Sequence, residues 1–405
     1  MKFSVLLPTR NRLDLLSYAI KTVRDQDYDD WEIIVSDNFS EEDIAGYVRS
    51  LQDPRVKYFR TNDFIPVTDN WNNALEKSDG DYVIMLGDDD CLMKGYFTTI
   101  RQLANDYDAP EVIYSSAFLY AYPGVMPTFP DGFLQPYGYA DFLLSADQPF
   151  ILEKHKALAL LEHSLNFRVR FGYNMQFSTV SRRFIQSLAK YGPFYQSPYP
   201  DYYASNVMML KAKHILVTPM PLVTIGISPK SFGYYYFNEL EDKGVEFLKN
   251  LTNVDMAKRL ENVIMPGTEM NTSWLVSMET IRVNFSEEVA LRVNYRRYRL
   301  IQILFVLLKC TAGEPGTKSI EQKLWKRMST GEKCLYGYPV LFLKFLSSVF
   351  PKRYRDALAN KILAALGTHP RFVAPKIAGN YRTILDVFEK VDPGLGKNAQ
   401  AHEKN

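Results

Sequence analysis

Apolar residues recur along the first part of the chain at the spacings of alternating strands and helices. Short apolar runs predict four strands, at residues 3–7, 31–36, 56–60 and 82–86. Apolar residues three and four positions apart predict helices between them, as at 13–23 and 67–76. Because strands and helices alternate, the pattern predicts an α/β fold, with a mostly parallel Rossmann-like sheet and helices on both faces.

Residues 111–238 show a more mixed pattern. It contains a strand at 111–115, a stretch rich in proline and glycine, and a helix at 153–165. We expect this part to complete the sheet that the first strands begin. The predicted N-terminal domain therefore spans residues 1–238.

The pattern becomes that of amphipathic helices after this domain, so residues 239–392 are predicted to form a mainly helical C-terminal region. The amphipathic stretches lie at residues 240–250, 288–308, 318–328 and 355–366. The polar tail, residues 393–405, is predicted to be disordered.

Part of the C-terminal region combines apolar, aromatic and basic residues. These residues lie at 323–327, 335–350 and 352–355. Such a mixture suits contact with an anionic membrane surface. The alternative is a helical bundle whose apolar faces pack together or join two copies of the chain.

Composition and charge exclude several classes of protein. The 48 basic residues nearly cancel the 46 acidic ones, so nucleic acid is not expected as the main partner. Cys91, Cys310 and Cys334 lie far apart without metal-ligand spacing, as is typical of reduced thiols in the cytoplasm. The first residues lack a signal-peptide cleavage site, and no apolar stretch reaches the roughly 20 residues needed to span a bilayer. A cytoplasmic location is expected, with the inner face of the membrane as a candidate surface.

Three consecutive carboxylates, Asp88, Asp89 and Asp90, directly follow the fourth predicted strand. Their mutual repulsion would be costly without a cation, and oxygen ligands suit Mg²⁺ or Mn²⁺, which could also hold a diphosphate. The alternative is a solvated turn whose aspartates cap the next helix.

Three segments, residues 5–12, 33–38 and 81–90, occur in an order that closely resembles family 2 glycosyltransferases, which have the GT-A fold and invert the anomeric centre. The resemblance is clear over residues 1–110, weaker to about 235, and absent beyond. It divides the first domain into a nucleotide-sugar part, 1–110, and an acceptor part, 111–238.

The resemblance implies which residues bind the donor and the cation. The implied nucleotide-sugar residues are Pro8, Thr9, Arg10, Arg12, Asp37, Asn38, Asn73, Asp88 and Asp89, and the implied metal ligands are Asp89 and Asp90. A carboxylate at Asp37 would accept a hydrogen bond from an imide N–H, which favours a uracil or thymine nucleotide; its alternative role is in an Asx turn. Because the family's acidic pattern begins with Asp where this chain has Gly87, Asp88 could take that first place.

The resemblance also implies a catalytic base at Asp201, where Pro200 and Asp201 open a helix on the acceptor side. Inversion requires a carboxylate that takes the proton of the attacking hydroxyl. The alternative is that the helix dipole alone favours an acidic residue at this helix start.

The predicted function is transfer of a hexose, dependent on a metal, from a UDP- or dTDP-sugar to a saccharide or lipid-linked saccharide in polysaccharide or glycoconjugate synthesis. Two alternatives remain open. A nucleotidyltransferase would need glycines in the loop after the first strand, which residues 7–11 lack. A binding module without catalytic activity is suggested by Gly87 alone.

Overall fold

The computed structural model describes most of the chain in two compact units. The described residues are 1–126, 129–137, 146–231, 254–312, 317–341 and 377–393, with 361, 365 and 367. The first unit draws on Met1–Leu160, Phe171–Asn250 and Val373–Asn405, and the second on Leu161–Arg170 and Leu251–Phe372. The units are therefore not divided by one boundary at residue 239, because the chain returns to the first unit near its C-terminus.

Several predictions fall outside the described residues. They concern the helix at 240–250, residues 342–350 and 352–355, most of 355–366, and the tail after residue 393.

One sheet forms the centre of the first unit. Its strands are β1 (Phe3–Thr9), β2 (Trp31–Asp37), β3 (Val56–Arg60), β4 (Tyr82–Met85), β5 (Cys91–Leu92), β6 (Val112–Ala121), β7 (Phe133–Pro136), β8 (Phe150–Ile151), β9 (Ser178–Ser181) and β10 (Ile215–Ile227). The main order is β3-β2-β1-β4-β9-β6-β10-β5, with β7 beside β6 and β8 beside β10. Strands β1 to β4, β6 and β10 run in the same direction, which confirms the predicted mostly parallel α/β sheet.

The apolar run of β1 explains its central position. Phe3, Val5, Leu6 and Leu7 are all fully buried, and β1 is paired with β2 on one side and β4 on the other. In the β2 pairing, Thr9 at the end of β1 lies opposite Asp37. The connection from β1 leads to β2 on one side of β1, and the connection from β3 leads to β4 on the other side, so the strand order reverses at β1. In open α/β sheets, ligands bind beyond the carboxyl ends of the strands at such a point.

Helices connect the strands and make up the ordered elements described in the second unit. In chain order they are α1 (Leu13–Arg24), α2 (Ile44–Ser50), α3 (Val67–Glu76), α4 (Tyr96–Asp106), α5 (Lys154–Leu165), α6 (Arg182–Ser187), α7 (Pro200–Lys211), α8 (Val254–Leu260), α9 (Glu269–Asn284), α10 (Tyr295–Ala312), α11 (Thr317–Arg327), α12 (Thr330–Glu332) and α13 (Ile384–Lys390). Helix α3 packs on β1 and β2, and α1 packs on β5 and α13. None of the helices in the described ranges is long and apolar enough to cross a membrane.

Buried polar contacts join the helices of the second unit. The amide of Gln302 on α10 donates to the carbonyl oxygen of Thr268 and accepts from the N–H of the same residue, both at 3.0 Å. Glu279 on α9 pairs with Arg282 and accepts a hydrogen bond from Tyr295. Because buried polar groups are costly unless they are paired, these contacts favour one arrangement of α9 and α10.

Candidate functional site

The carboxyl ends of β1 and β4 meet through an ion pair. Arg12, the residue before α1, donates from Nη1 to Asp88 Oδ1 at 2.9 Å, and Thr9 Oγ1 donates to Asp88 Oδ2 at 2.8 Å. Arg12 is 8% exposed and Asp88 3%. The fold therefore brings together three of the predicted donor residues at the edge where the strand order reverses.

Asp89 and Asp90 are buried beside this pair, and each is held by other donors. The Ser228 hydroxyl donates to Asp89 Oδ2 at 2.7 Å. Asp90 accepts from the N–H groups of Gly226 and Gly87, both at 2.8 Å. Burial raises the pKa of both carboxyls, and the neighbouring aspartates raise it further. The turn thus concentrates negative charge that Arg12 balances only in part.

The environment of this turn excludes the solvated, helix-capping alternative. All three aspartates are buried, the next element is the short strand β5, and α4 begins after Gly95 without a side-chain cap. A local contact also explains why residue 87 is glycine, since a Cβ atom there would lie 2.5 Å from Asp90 Oδ2. An aspartate at the family's first acidic position would therefore displace Asp90.

The acidic turn offers oxygen ligands of the kind that hard cations prefer. The charge of Asp88 is balanced by Arg12, whereas the described donors to Asp89 and Asp90 are all neutral, and no described residue donates to Asp89 Oδ1. In the part of the chain that the structure describes, no three acidic, histidine or cysteine side chains converge as a complete metal site. Asp89 and Asp90 therefore fit a cation that takes its remaining ligands from a diphosphate or from water.

The end of β10 lies against the acidic turn, which the sequence did not predict. Gly226 and Ser228 bind Asp90 and Asp89, and the carbonyl oxygen of Lys230 accepts from Arg12. A Cβ atom at Gly226 would lie 2.0 Å from the backbone oxygen of Asp89, so this close approach requires glycine. About 136 residues separate Gly226 from Asp90, and no local pattern marks such a contact.

Asp37 and Asn38 lie beside Thr9 but are engaged within the protein. Asp37 is fully buried and accepts from the Tyr58 hydroxyl at 2.6 Å and from Ser40 N–H at 3.0 Å. Burial and this hydrogen bond raise the pKa of Tyr58 to about 12. The Asn38 side chain bonds both backbone polar groups of Ile65. Asp37 thus accepts a hydrogen bond within the turn after β2, as in the Asx-turn alternative. Its contact with a nucleotide base stays a prediction.

The remaining predicted donor residues surround this end of the sheet. Pro8 lies on β1 opposite Ser36. Asn73 on α3 donates to the Ser36 hydroxyl at 2.7 Å. The Arg10 guanidinium lies 3.7 Å from the centre of the Phe64 ring, and its buried Nε has no hydrogen-bond partner among the described residues. Arg10 thus has a buried polar atom left to bind.

Asp201 lies in the first turn of α7, as predicted, and its Oδ1 accepts from the N–H of Tyr202 at 3.0 Å. Burial raises the pKa of Asp201 to about 7, although the backbone donors oppose this shift. A general base is most effective when its pKa lies near the working pH. No hydrogen bond among the described residues joins Asp201 to the acidic turn, so its role as the base stays a prediction.

Comparison with known proteins adds independent findings. The model of the family described as Glycosyl transferase family 2 matches residues 4–128. A GalNAc(5)-diNAcBac-PP-undecaprenol beta-1,3-glucosyltransferase of Campylobacter jejuni is 44% identical over 108 residues, which are 26% of this chain and 35% of that protein. A protein of Escherichia coli K12, provisionally named as the colanic acid biosynthesis glycosyl transferase WcaA, is 31% identical over 140 residues, 31% of this chain and 48% of that protein.

Solved structures of TarS from S. aureus are similar to a larger part of the chain at low identity. TarS 1-349 is 15% identical, with 91% of this chain and 90% of that chain covered and a TM-score of 0.44. Its complex with UDP-GlcNAc is 14% identical, with 81% and 89% covered and a TM-score of 0.45.

The family match, residues 4–128, includes β1 to β4 and the acidic turn. The chain spans less than half the length of the two relatives, 35% and 48%. Within that segment, the ordered motifs and the meeting of Thr9, Arg12 and Asp88 agree with the family match. Over residues 4–128, the chain is therefore similar to glycosyl transferase family 2.

Proposed function

We propose that this chain is an inverting glycosyltransferase that moves a hexose from a nucleotide diphosphate donor to a saccharide or lipid-linked saccharide. One observation carries the proposal: Thr9 and Arg12 meet the Asp88–Asp90 turn where the strand order reverses, within the family-matched segment. A UDP- or dTDP-sugar is the favoured donor.

The donor diphosphate would lie over the acidic turn. Asp89 and Asp90 would hold Mg²⁺ or Mn²⁺ there, and the cation supplies positive charge that stabilises the leaving diphosphate. Arg12, which pairs with Asp88, and Lys230, whose Nζ lies 3.3 Å from Asp14 Oδ1 at the start of α1, would be the nearby cationic side chains of the protein. The donor is thereby bound between α1 and the end of β10.

Asp201 would act on the acceptor. The acceptor oxygen forms a bond to the anomeric carbon while the bond to the diphosphate breaks on the opposite face, and Asp201 takes the hydroxyl proton. With a pKa of about 7, this carboxyl is ionised in a substantial fraction of molecules near neutral pH. Transfer with inversion follows from attack opposite the leaving group.

The acceptor class is supported by the name of one relative. The Campylobacter protein acts on a saccharide linked through diphosphate to undecaprenol, as its name states. We extend this class to the present chain as a lipid-linked saccharide that is met at the cytoplasmic face of a membrane, with contact through the C-terminal region. Polysaccharide or glycoconjugate synthesis is the corresponding biological role.

A thermal-shift experiment tests the donor site. UDP, dTDP, GDP and CDP are each added with and without Mn²⁺ to the wild type and to an Asp89→Ala/Asp90→Ala variant. Binding to the native state raises the unfolding temperature. We expect a Mn²⁺-dependent increase with UDP or dTDP that the double variant loses.

Two exposed aspartates provide the matched control, as an Asp27→Ala/Asp106→Ala variant. It should retain the full nucleotide-dependent increase. If no nucleotide raises the unfolding temperature of the wild type, the proposal is contradicted. If the increase is equal in all three proteins, the acidic turn does not take part in nucleotide binding.

A further inference from the structure

A short 3₁₀ turn, Met175–Phe177, brings a side-chain amide to the acidic turn. Gln176 Nε2 donates to Asp90 Oδ2 at 2.7 Å. The other hydrogen bonds to this carboxylate come from the backbone of Gly87 and Gly226. Within the described part of the chain, Gln176 is therefore the side chain that helps to orient Asp90.

Stacked aromatic rings hold this turn in place. The Phe177 ring stacks on Tyr114 with centroids 5.3 Å apart and an interplanar angle of 7°, and on Tyr137 at 5.2 Å and 8°. Met175 and Phe177, which flank Gln176, are buried. Because both neighbours are fixed, the backbone of Gln176 is held where its partly exposed side chain reaches Asp90.

The position of Gln176 in the sequence adds a separate point. It lies outside residues 4–128, so the family match assigns it no role. Its bond joins the turn before β9 to the loop after β4, and these two strands are antiparallel neighbours in the sheet. The contact therefore depends on how the sheet is completed after the matched segment.

We propose that Gln176 is a positioning residue of the donor site, which aims the Asp90 carboxylate at the cation that accompanies the donor diphosphate. The inference rests on the proposed function. A carboxylate whose oxygens accept from three fixed donors keeps one orientation, and outer hydrogen bonds of this kind preserve the geometry of metal ligands.

The test compares UDP and dTDP binding to the wild type and to Gln176→Leu, which removes the amide donor at similar volume. Isothermal titration calorimetry is run with Mn²⁺ and again with EDTA. We expect the Kd for the bound nucleotide to rise about 10- to 100-fold in Mn²⁺ and to change little in EDTA. The unfolding temperature without ligand should stay near that of the wild type.

Gln186→Leu, at an exposed position on α6, is the control and should bind like the wild type. If Gln176→Leu fails to fold, Gln176→Asn withdraws the amide by one carbon and should weaken binding in the same Mn²⁺-dependent way.

Two results would overturn the inference: an unchanged Kd in Mn²⁺, or an equal rise in Mn²⁺ and EDTA, which would indicate a general structural effect. A wild type that binds neither UDP nor dTDP would instead contradict the proposed function itself.

Discussion

The three aspartates of the acidic turn differ from one another in their partners. Asp88 pairs with Arg12, Asp89 accepts from Ser228, and Asp90 accepts from two backbone N–H groups and Gln176. Three identical residues in sequence therefore have three environments. Asp88 has its charge balanced by the protein, whereas Asp89 and Asp90 remain suited to a cation.

Removal of one partner of the Arg12–Asp88 pair should lower the free energy of unfolding strongly. Arg12→Met leaves the buried Asp88 carboxylate without its counter-ion, which typically costs about 3–5 kcal/mol. Urea unfolding at neutral pH measures this loss in the free energy of unfolding. A cost below about 1 kcal/mol would contradict the buried ion pair.

The companion variant Arg12→Met/Asp88→Leu tests the same pair from the other side. Replacing both members of a buried ion pair by apolar residues is often close to neutral. We therefore expect the double variant to recover most of the stability that Arg12→Met loses. No recovery would indicate that Arg12 acts through its other contacts, such as the Lys230 carbonyl oxygen.

At the scale of elements, the close approach of β10 to the acidic turn depends on Gly226. Gly226→Ala would place a Cβ atom 2.0 Å from the Asp89 backbone oxygen, so one of the two segments must move. We expect a loss of about 1–3 kcal/mol in the free energy of unfolding, as is typical of overpacking. The same variant should weaken the Mn²⁺-dependent nucleotide shift, because Gly226 N–H also holds Asp90.

Gly331→Ala is the matched control for this variant. Nothing lies within 4 Å of a Cβ atom at Gly331, which is in the short helix α12. There, alanine should be neutral or stabilise by up to about 1 kcal/mol, because it favours helix more than glycine does. Equal losses in both variants would contradict the steric explanation.

The elements themselves were predicted with uneven success. Strand β3 (Val56–Arg60) and helix α3 (Val67–Glu76) have the predicted bounds, since their apolar spacing is regular and polar turns flank them. In contrast, the strand predicted at 111–115 is the much longer β6 (Val112–Ala121). Its second half is an apolar run buried on both faces, and the serines at 115 and 116 separate this run from the first half.

At the scale of the whole molecule, the carboxyls of the buried Glu32 and the partly buried Asp201 act in opposite directions on stability. Burial opposes ionisation of Glu32, but donors from Asp79, Lys57 and Ser4 hold its pKa well below the ordinary value. Burial raises the pKa of Asp201 to about 7. The stability from Glu32 is lost in acid, as pH falls toward its lowered pKa.

Asp201 has the reverse effect. Below about pH 4 the folded and unfolded states both carry its proton, and between about pH 4 and pH 7 only the unfolded chain releases it. Stability should therefore fall over this range. Asp201→Asn removes this titrating group. The unfolding temperature of the wild type should therefore fall relative to that of the variant as pH rises from about 4 to 7.

Asp106→Asn, at an exposed position, is the control for the general effect of replacing a carboxyl by an amide. A constant difference between Asp201→Asn and the wild type would contradict a carboxyl with a raised pKa at this position. The measurement needs no substrate, so it tests the environment of Asp201 independently of its catalytic role.

The sequence by itself determined the local order of this protein. Apolar spacing predicted the alternating elements of the first part, and the polar residues Thr9, Arg12 and Asp88 were placed at strand ends from the sequence alone. The parallel arrangement followed, because a strand, a helix and the next strand form a right-handed unit. These features depend on residues close in the chain.

Only the tertiary structure decided which distant residues complete the site. Strand β9 runs antiparallel between β4 and β6, which brings Gln176 to Asp90, and the end of β10 brings Gly226 and Ser228. The return of residues 377–393 to the first unit was likewise not foreseen. The physical reason is that such contacts arise from the closing of the sheet and the packing around it, which have no period or spacing in the sequence.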